Sequence, residues 1–352
     1  MPDILPFLKD LIALPGLSGY ETPVANLITE KWRPLVDEIS LSRLGSVHGL
    51  RRGTGSQPRP TVMLTAHMDA IGLMVTGNIE GFLHVARIGG VDVRVLPGAL
   101  VTVHGRQELP GVIVQPPPRL LPASARDEIV PLEHLLVDVG LPPRKLAGLV
   151  RVGDLVSFAN PPVELAGETL AGHSLDNRAS LAALTACLEE LQSRPHSWDV
   201  WAVATVQEET GLVGAYSSTF HLRPAVAVVV DVTWGRGPGA SEWNAFPLGK
   251  GPTLTMGPNI HPALHRSFKE LADRLEIPYA LEYTVGNSGT DATATQVTAE
   301  GIPSMVLGLP LRYMHTPVEV VAIKDIRRLG RLMAEFVVGL EPDYFDKITW
   351  DN

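Results

Sequence analysis

The sequence predicts an α/β protein in which a small β domain is inserted into an α/β/α sandwich. In most of the chain, apolar runs of strand length alternate with segments of helical periodicity. This alternation is typical of a sheet covered by helices. Between residues 71 and 165, short β-like runs broken by glycine and proline replace it, which indicates a separate β domain. A chain of 352 residues is long enough for a large core and a second, smaller domain.

The main α/β part is predicted to begin with two helices, at 4–14 and 21–33, separated by the break PGLSG. The strand-like runs that follow are rich in Val, Ala, Ile and Leu and lack polar alternation, as strands buried on both faces do. The strands are expected at 61–66, 198–206, 225–232 and 302–307, and the later helices at 177–192, 262–276 and 325–340.

The inserted domain is assigned to residues 71–165, so the main domain consists of 1–70 and 166–352. Its β-like runs are GFLHVARIGG, GALVTVHG, GVIVQ and DLVSF. Within it, residues 115–128 (QPPPRLLPASARDE) predict a partly mobile loop that its prolines stiffen locally.

Composition excludes several classes of protein. Hydrophobic residues make up 45% of the chain, charged residues 19%, and the formal net charge is −9. No basic run indicates nucleic acid or an anionic membrane as partner. The start lacks the features of a signal peptide, and no apolar stretch reaches membrane-spanning length. We therefore expect a cytoplasmic protein. The one cysteine, Cys187, lies on an apolar helical stripe and is expected to be a packed thiol.

His67 and Asp69 follow the apolar run TVMLTA and lie two residues apart. If that run is a buried strand, its period of two places both side chains on one face at the strand end. A histidine beside a carboxylate is a common beginning of a metal site, because the acid orients the ring. Taken alone, however, such a pair is more often an ordinary histidine in a turn.

Three more acidic positions stand at the ends of predicted elements. Asp176 lies where a helix begins, so it could equally be an N-cap. Glu208 and Glu209 follow the run WDVWAVATVQ. Adjacent acids repel unless a positive charge holds them, although a solvated strand end would also explain them.

Asp231 and His315 complete the candidate residues. Asp231 ends the run AVAVVVDV, where a buried acid is costly without a partner. His315 precedes Thr316-Pro317 in a loop, and a lone histidine in such a loop is more often structural. Together, however, all these positions fall at or near strand ends of one α/β domain, where ligands of such sheets collect.

Two histidines with several carboxylates suit two zinc or cobalt ions. Asp176 could bridge the ions, with His67 and Asp231 on one and Glu209 and His315 on the other. Three carboxylates against two divalent ions leave one positive charge, which a bridging hydroxide neutralises. Glu208 would remain as a carboxylate beside the metals, as a general base must.

Several motifs, spread in order over nearly the whole chain, carry a family resemblance. They are LSGYE at 17–21, AHMDAIGLMV at 66–75, LVDVG at 136–140, Asp-Asn-Arg at 176–178, QEETGLVGA at 207–215, DVT at 231–233, GTDA at 289–292 and RYMHTPVEVV at 312–321. These segments resemble those of the TET (tetrahedral) aminopeptidases, peptidase family forty-two of the metallopeptidases. The resemblance implies a metal-dependent enzyme that hydrolyses N-terminal residues from peptides.

The resemblance also implies roles for individual residues. The family's bridging aspartate falls on Asp176, its general base on Glu208 and its supporting acid on Asp69. It further implies a PDZ-like inserted domain for dimerisation and the assembly of dimers into a hollow dodecamer. The remaining metal ligands of the family fall on His67, Glu209, Asp231 and His315.

Two segments depart from the family pattern. The proline-rich stretch 115–128 stands where the family has a loop that reaches a neighbouring active site, so its role is not carried over. The stretch WGRGPGASEWNAFPLGKG lies near where specificity is set, so the preferred N-terminal residue stays open.

Three other functions compete with this one. A di-zinc deacylase or carboxypeptidase of the related clan would use a similar ligand set. A cellulase would need two acids facing each other about 5–9.5 Å apart across a sugar bond, which neighbours in sequence do not readily provide. A non-catalytic scaffold predicts a lost ligand or base, and none is lost.

Overall fold

A computed structural model describes residues 3–122, 128–241 and 243–350. It shows a mixed α/β fold with an 11-stranded sheet and a closed barrel of six strands. The helices are α1 (Leu5–Ala13), α2 (Thr22–Trp32), α3 (Pro143–Leu149), α4 (Leu175–Leu191), α5 (Glu208–Gly211), α6 (Val213–Leu222), α7 (Pro262–Arg274), α8 (Asp291–Gln296), α9 (Ile323–Gly339) and α10 (Tyr344–Lys347).

The strands divide between the sheet and the barrel. The barrel order is β4-β5-β8-β7-β6-β9, and the main path of the sheet runs β1-β2-β12-β3-β13-β16-β17-β11-β10, with β14 joining β16 to β15. The strands are β1 (Glu38–Leu41), β2 (Val47–Arg51), β3 (Thr61–His67), β4 (Gly72–Ile79), β5 (Phe82–Ile88), β6 (Leu100–His104), β7 (Glu108–Val114), β8 (Leu136–Asp138), β9 (Leu155–Phe158), β10 (Val163–Leu165), β11 (Thr169–Gly172), β12 (Asp199–Thr205), β13 (Val226–Trp234), β14 (Thr253–Met256), β15 (Ala280–Tyr283), β16 (Ser304–Arg312) and β17 (Glu319–Ala322).

The centre of the sheet consists of the strands that the apolar runs predicted. Neighbours β12, β3, β13 and β16 pair in parallel, so their carboxyl ends meet at one edge. Alternate residues of β3 enter different cores: Val62 and Leu64 join the large cluster, and Met63 joins a smaller one with Val203. Both faces are buried, which explains the absence of polar alternation.

Helix α4 packs against β3 and against α9. Cys187 is fully buried within this helix and belongs to the large hydrophobic cluster, as expected for a packed thiol. Gly330 of α9 allows the two helices to approach closely, because a Cβ there would lie 2.7 Å from the carbonyl oxygen of Ala183 and 2.8 Å from the Cβ of Ala186.

The barrel strands lie between Gly72 and Phe158 and enclose their own hydrophobic cluster. Strand β10 already pairs with β11 of the large sheet. We propose that the inserted domain extends from residue 71 to residue 165.

The proline-rich segment includes a 3-10 turn at Pro118–Leu120, and its residues 123–127 lie outside the described part of the chain. Among the described residues, no helix is both long and apolar enough to cross a membrane.

Several short elements were not predicted from the sequence. Helix α6 buries small and polar residues such as Gly214, Ser218 and Thr219, so it has no apolar stripe to recognise. Helix α8 and the strands β14 and β15 are only 6, 4 and 4 residues long, too short for a periodic pattern.

The α4–α9 contact generates a stability prediction with a matched control in the same helix. We expect Gly330→Ala to lower the free energy of unfolding by about 1–3 kcal/mol, because the added methyl group overpacks the contact. A Cβ at Gly339 meets open space, so Gly339→Ala should be neutral or stabilising by up to about 1 kcal/mol. Urea unfolding followed by circular dichroism measures both. A Gly330→Ala variant as stable as the parent would contradict this account of the packing.

Candidate metal centre

The parallel strand ends bring the predicted residues together. His67 is the last residue of β3, Glu208 and Glu209 follow β12 in the short helix α5, and Asp231 lies in β13. The Nε2 atom of His67 is 3.7 Å from Asp231 Oδ1 and 3.9 Å from Glu208 Oε2. Residues from three neighbouring strands therefore converge at one edge of the sheet.

Asp176 lies between the two histidines. Its Oδ1 atom is 3.2 Å from His67 Nε2, and its Oδ2 atom is 3.5 Å from His315 Nε2. His315 Nε2 is also 3.4 Å from Glu209 Oε2. The backbone of Asp176 is not helical although it falls within α4, and Asp176 is not the N-cap of that helix. Each oxygen of one carboxylate thus faces a different histidine.

Asp69 stabilises this arrangement. It is fully buried and accepts hydrogen bonds from Ser18 Oγ at 2.5 Å and from the N–H groups of Glu208 and Glu209 at 2.9 and 3.2 Å. Burial favours a higher pKa for Asp69, but hydrogen bonds, that of His67 foremost, hold the pKa below its ordinary value. Asp69 therefore stays charged and fixes both glutamates.

The ring of His67 is oriented as in a metal ligand. Its Nδ1 atom lies 3.2 Å from the carbonyl oxygen of Asp69 and 3.4 Å from its Oδ1. Donation of the Nδ1 proton to these oxygens leaves Nε2, which faces Asp176 and Asp231, free to bind a cation. A backbone or carboxylate partner on the second nitrogen is usual for histidines that bind metals.

The electrostatics of the site also favour cations. Burial, reinforced by neighbouring carboxylates, raises the pKa of Glu208 to about 9 and raises those of Glu209 and Asp231 well above their ordinary values. Burial opposes protonation of His67, yet its bonds to Asp176 and Asp69 raise the pKa of His67. The site therefore attracts positive charge, as protons or as metal ions.

The donor set fits divalent metal ions. One ligand atom from each of His67, Asp176 and Glu209 lies within 4.8 Å of the others. His315 and Asp231 extend this group at the distances given above. Imidazole nitrogens combined with carboxylate oxygens suit zinc and related transition metals.

Glu319 belongs to the site, although the sequence analysis did not single it out. It is almost fully buried and accepts hydrogen bonds from the N–H groups of Asp176 at 3.0 Å and His315 at 3.1 Å. His315 has a left-handed backbone with φ of 64°, which costs energy for a residue with a side chain, and Glu319 holds it there. An acid within the apolar run VEVV is the signal that could have identified it.

Asp291 is a second buried acid near the site that was missed. It accepts a hydrogen bond of 2.5 Å from Thr205 at the end of β12. Burial raises the pKa of Asp291 to about 6, with neighbouring Asp69 adding to the effect. Its position at the start of α8, directly after a loop, gave no periodic signal in the sequence.

The barrel also contacts the site, through two glycines that follow β5. A Cβ on Gly90 would lie 2.6 Å from His315 Nδ1, and one on Gly89 would lie 3.3 Å from Glu209 Cβ. The Gly-Gly pair in ARIGG therefore leaves room for two of the candidate ligands.

A cleft of about 560 Å³ opens over these residues. It reaches from the histidines to residues of β13 and of β15. Its walls beyond the candidate ligands include Val232, Thr233, Trp234, Glu282 and Met314.

Comparisons with known proteins agree with this geometry. The profile of the M42 glutamyl aminopeptidase family matches residues 45–332. The lysyl aminopeptidase of Pyrococcus furiosus is 35% identical to the chain over 346 residues, which cover 95% of this chain and 97% of the relative.

Solved structures show the same architecture. The TET aminopeptidase of the marine sediment archaeon Thaumarchaeota archaeon SCGC AB-539-E09 superposes with a TM-score of 0.93 at 29% identity, covering 98% of this chain and 99% of that one. The TET1 peptidase of Pyrococcus horikoshii, which can assemble into a tetrahedron or a large octahedral shell, gives 0.83 at 27% identity and covers 96% and 100%. The chain therefore belongs to the M42 family of aminopeptidases.

Proposed function

We propose that the protein is a dinuclear metallo-aminopeptidase that removes N-terminal residues from peptides. The observation that carries this proposal is Asp176, whose two carboxylate oxygens face His67 and His315 separately. That arrangement suits a carboxylate shared by two ions, zinc or cobalt. His67 and Asp231 would hold one ion, and Glu209 and His315 the other.

Each residue has a distinct role in the proposed reaction. Bound ions would polarise the scissile carbonyl and lower the pKa of a water molecule to near neutrality. Glu208 would accept the proton of the attacking water as general base, and its buried position beside His67 places it for this. Asp69 would hold the two glutamates through their backbone N–H groups and keep the His67 ring in place.

The competing functions receive less support. Membership in the M42 family favours an aminopeptidase over a deacylase or carboxypeptidase of the related clan. Glu208 Oε2 faces His67, whereas Glu209 Oε2 faces His315, so these acids do not oppose each other across a sugar as in a cellulase. A non-catalytic scaffold is disfavoured because every candidate residue is present.

We propose that the chain assembles through its barrel, as dimers and then as a dodecamer, and that it acts in the cytoplasm. The proposal draws on the relatives that form closed shells and on apolar side chains exposed on the barrel, such as Ile79, Phe82 and Leu100. Exposed apolar groups often mark association surfaces. The proposal includes a PDZ-like shape for the barrel and an α/β/α sandwich for the main domain.

Metal removal tests the proposed centre. We expect dialysis against a chelator to abolish release of amino acids from short peptides, and zinc or cobalt to restore it. Calcium serves as a control and should restore little, because it prefers ligand sets made of oxygen alone. The measurement compares free peptides with N-blocked peptides and cellulose. Undiminished activity in excess chelator would refute the metal-dependent mechanism.

The two adjacent glutamates provide a matched pair of variants. Glu208→Gln should keep both metals but lose about 10²–10⁴-fold in kcat, because the amide cannot accept the proton. Glu209→Gln should instead lower the metal content, because a ligand is weakened. Elemental analysis and steady-state kinetics measure the two effects. Normal turnover with full metal content in both variants would show that these roles are wrongly divided.

The assembly proposal predicts a large closed oligomer. Light scattering at micromolar concentration with metal present should give a mass near twelve subunits. Enclosed sites would admit short peptides but not folded proteins, so a folded protein with a free N-terminus should survive incubation. A monomer that degrades both substrates would contradict the proposal.

A further inference from the structure

The cleft contains a second acidic position away from the candidate ligands. Glu282 of β15 is half-buried and lines the cleft. Its Oε1 atom accepts a hydrogen bond from Thr233 Oγ1, and its Oε2 atom accepts one from Thr253 Oγ1, both at 2.6 Å. Thr255 Oγ1 donates a longer bond of 3.5 Å to Oε2. These neutral donors hold the carboxylate in a defined position.

The sheet places this carboxylate close to the proposed centre. Thr233 follows Asp231 by two residues on β13, so both side chains lie on the same face, about 7 Å apart along the strand. Gly308 of β16 pairs with Asp231 and with Thr253. A Cβ on Gly308 would overlap Thr253 Oγ1 and lie 2.9 Å from Glu282 Oε2. The glycine therefore makes room for Glu282 beside the strand that carries Asp231.

The charge of Glu282 has no counterpart in the described parts of the chain. No Lys, Arg or His there forms an ion pair with it. An ionised carboxylate has about four acceptor positions. The threonines occupy one on Oε1 and two on Oε2, the second of them only through the longer bond from Thr255. Binding hydroxyl groups requires only a polar acceptor, so these bonds leave the carboxylate charge to be balanced by a partner that enters the cleft.

We propose that Glu282 binds the cationic side chain of an N-terminal lysine or arginine. This inference rests on the proposed function, because it assigns the substrate class of the same site. Thr233, whose hydroxyl donates to Glu282, stands about 7 Å along β13 from Asp231. With the scissile bond at the centre, the long stem of lysine or arginine is of a length to span that spacing. Val232, Trp234 and Met314 in the cleft walls offer apolar surface on which such stems pack. The same charge would repel an N-terminal glutamate.

The test compares Glu282→Gln with the parent enzyme on lysyl, arginyl, leucyl and glutamyl chromogenic substrates. The parent should prefer the basic substrates. In the variant, kcat/KM for these should fall about 10–100-fold, the usual effect of losing a hydrogen bond between charged groups, while the leucyl value should change less than about twofold. Glu270→Gln removes an exposed charge of α7 and is the matched control, for which no change is expected.

Two results would overturn the inference while the proposed function stands. One is a parent enzyme that is active without preferring basic residues. The other is an equal loss of kcat/KM on all four substrates, which would indicate that Glu282 binds the α-amino group of the substrate or stabilises the fold. Inactivity toward every substrate, with metals bound, would instead refute the proposed function.

Equilibrium binding provides a readout that needs no turnover. Calorimetry with lysine and its neutral analogue norleucine, which carry no scissile bond, should show that the parent binds lysine more tightly and that Glu282→Gln abolishes the difference. Equal affinities in the parent protein would refute the role of Glu282 even if the enzyme is active.

Discussion

The hydrogen bonds that Asp69 accepts from the N–H groups of Glu208 and Glu209 connect the end of β3 to the segment after β12. They fix the direction in which both glutamates enter the cleft. Because the same carboxylate lies beside His67 Nδ1, it also sets which ring nitrogen faces Asp176. A buried acid is costly unless such bonds compensate for lost water, and here the compensation is also what aligns the centre. Glu319 acts in the same way: it is a buried acid that accepts hydrogen bonds from the N–H groups of Asp176 and His315.

The sequence was sufficient for what depends on local pattern. Strands buried on both faces produce unbroken apolar runs, and parallel strands bring their carboxyl ends together, so the convergence of His67, Glu209 and Asp231 followed from their positions at those ends. Glu282 was not predictable in this way. It lies in a strand of 4 residues, and its importance depends on Thr233 and on a glycine of β16, neither of which is near it in sequence.

The inserted barrel is part of the site as well as a separate structure. The glycines after β5 lie against His315 and Glu209, and the N–H of Asp92 donates to the carbonyl oxygen of His315. The distinct pattern of this segment predicted a separate β domain, and the family resemblance implied that the domain serves in association. Only the three-dimensional contact shows that the segment leaving the barrel strand also limits the space available to two candidate ligands.

The order of the candidate ligands along the chain has a consequence for biosynthesis. His67 lies in the first quarter of the sequence, whereas the loop that carries His315 follows β16, in the last quarter. An incomplete chain emerging from the ribosome thus offers only scattered donors. Metal capture by the proposed centre would then be a late event, and the free energy of binding would stabilise only a fold that contains both histidines. The proposed centre would thereby distinguish a chain folded through His315 from every shorter intermediate.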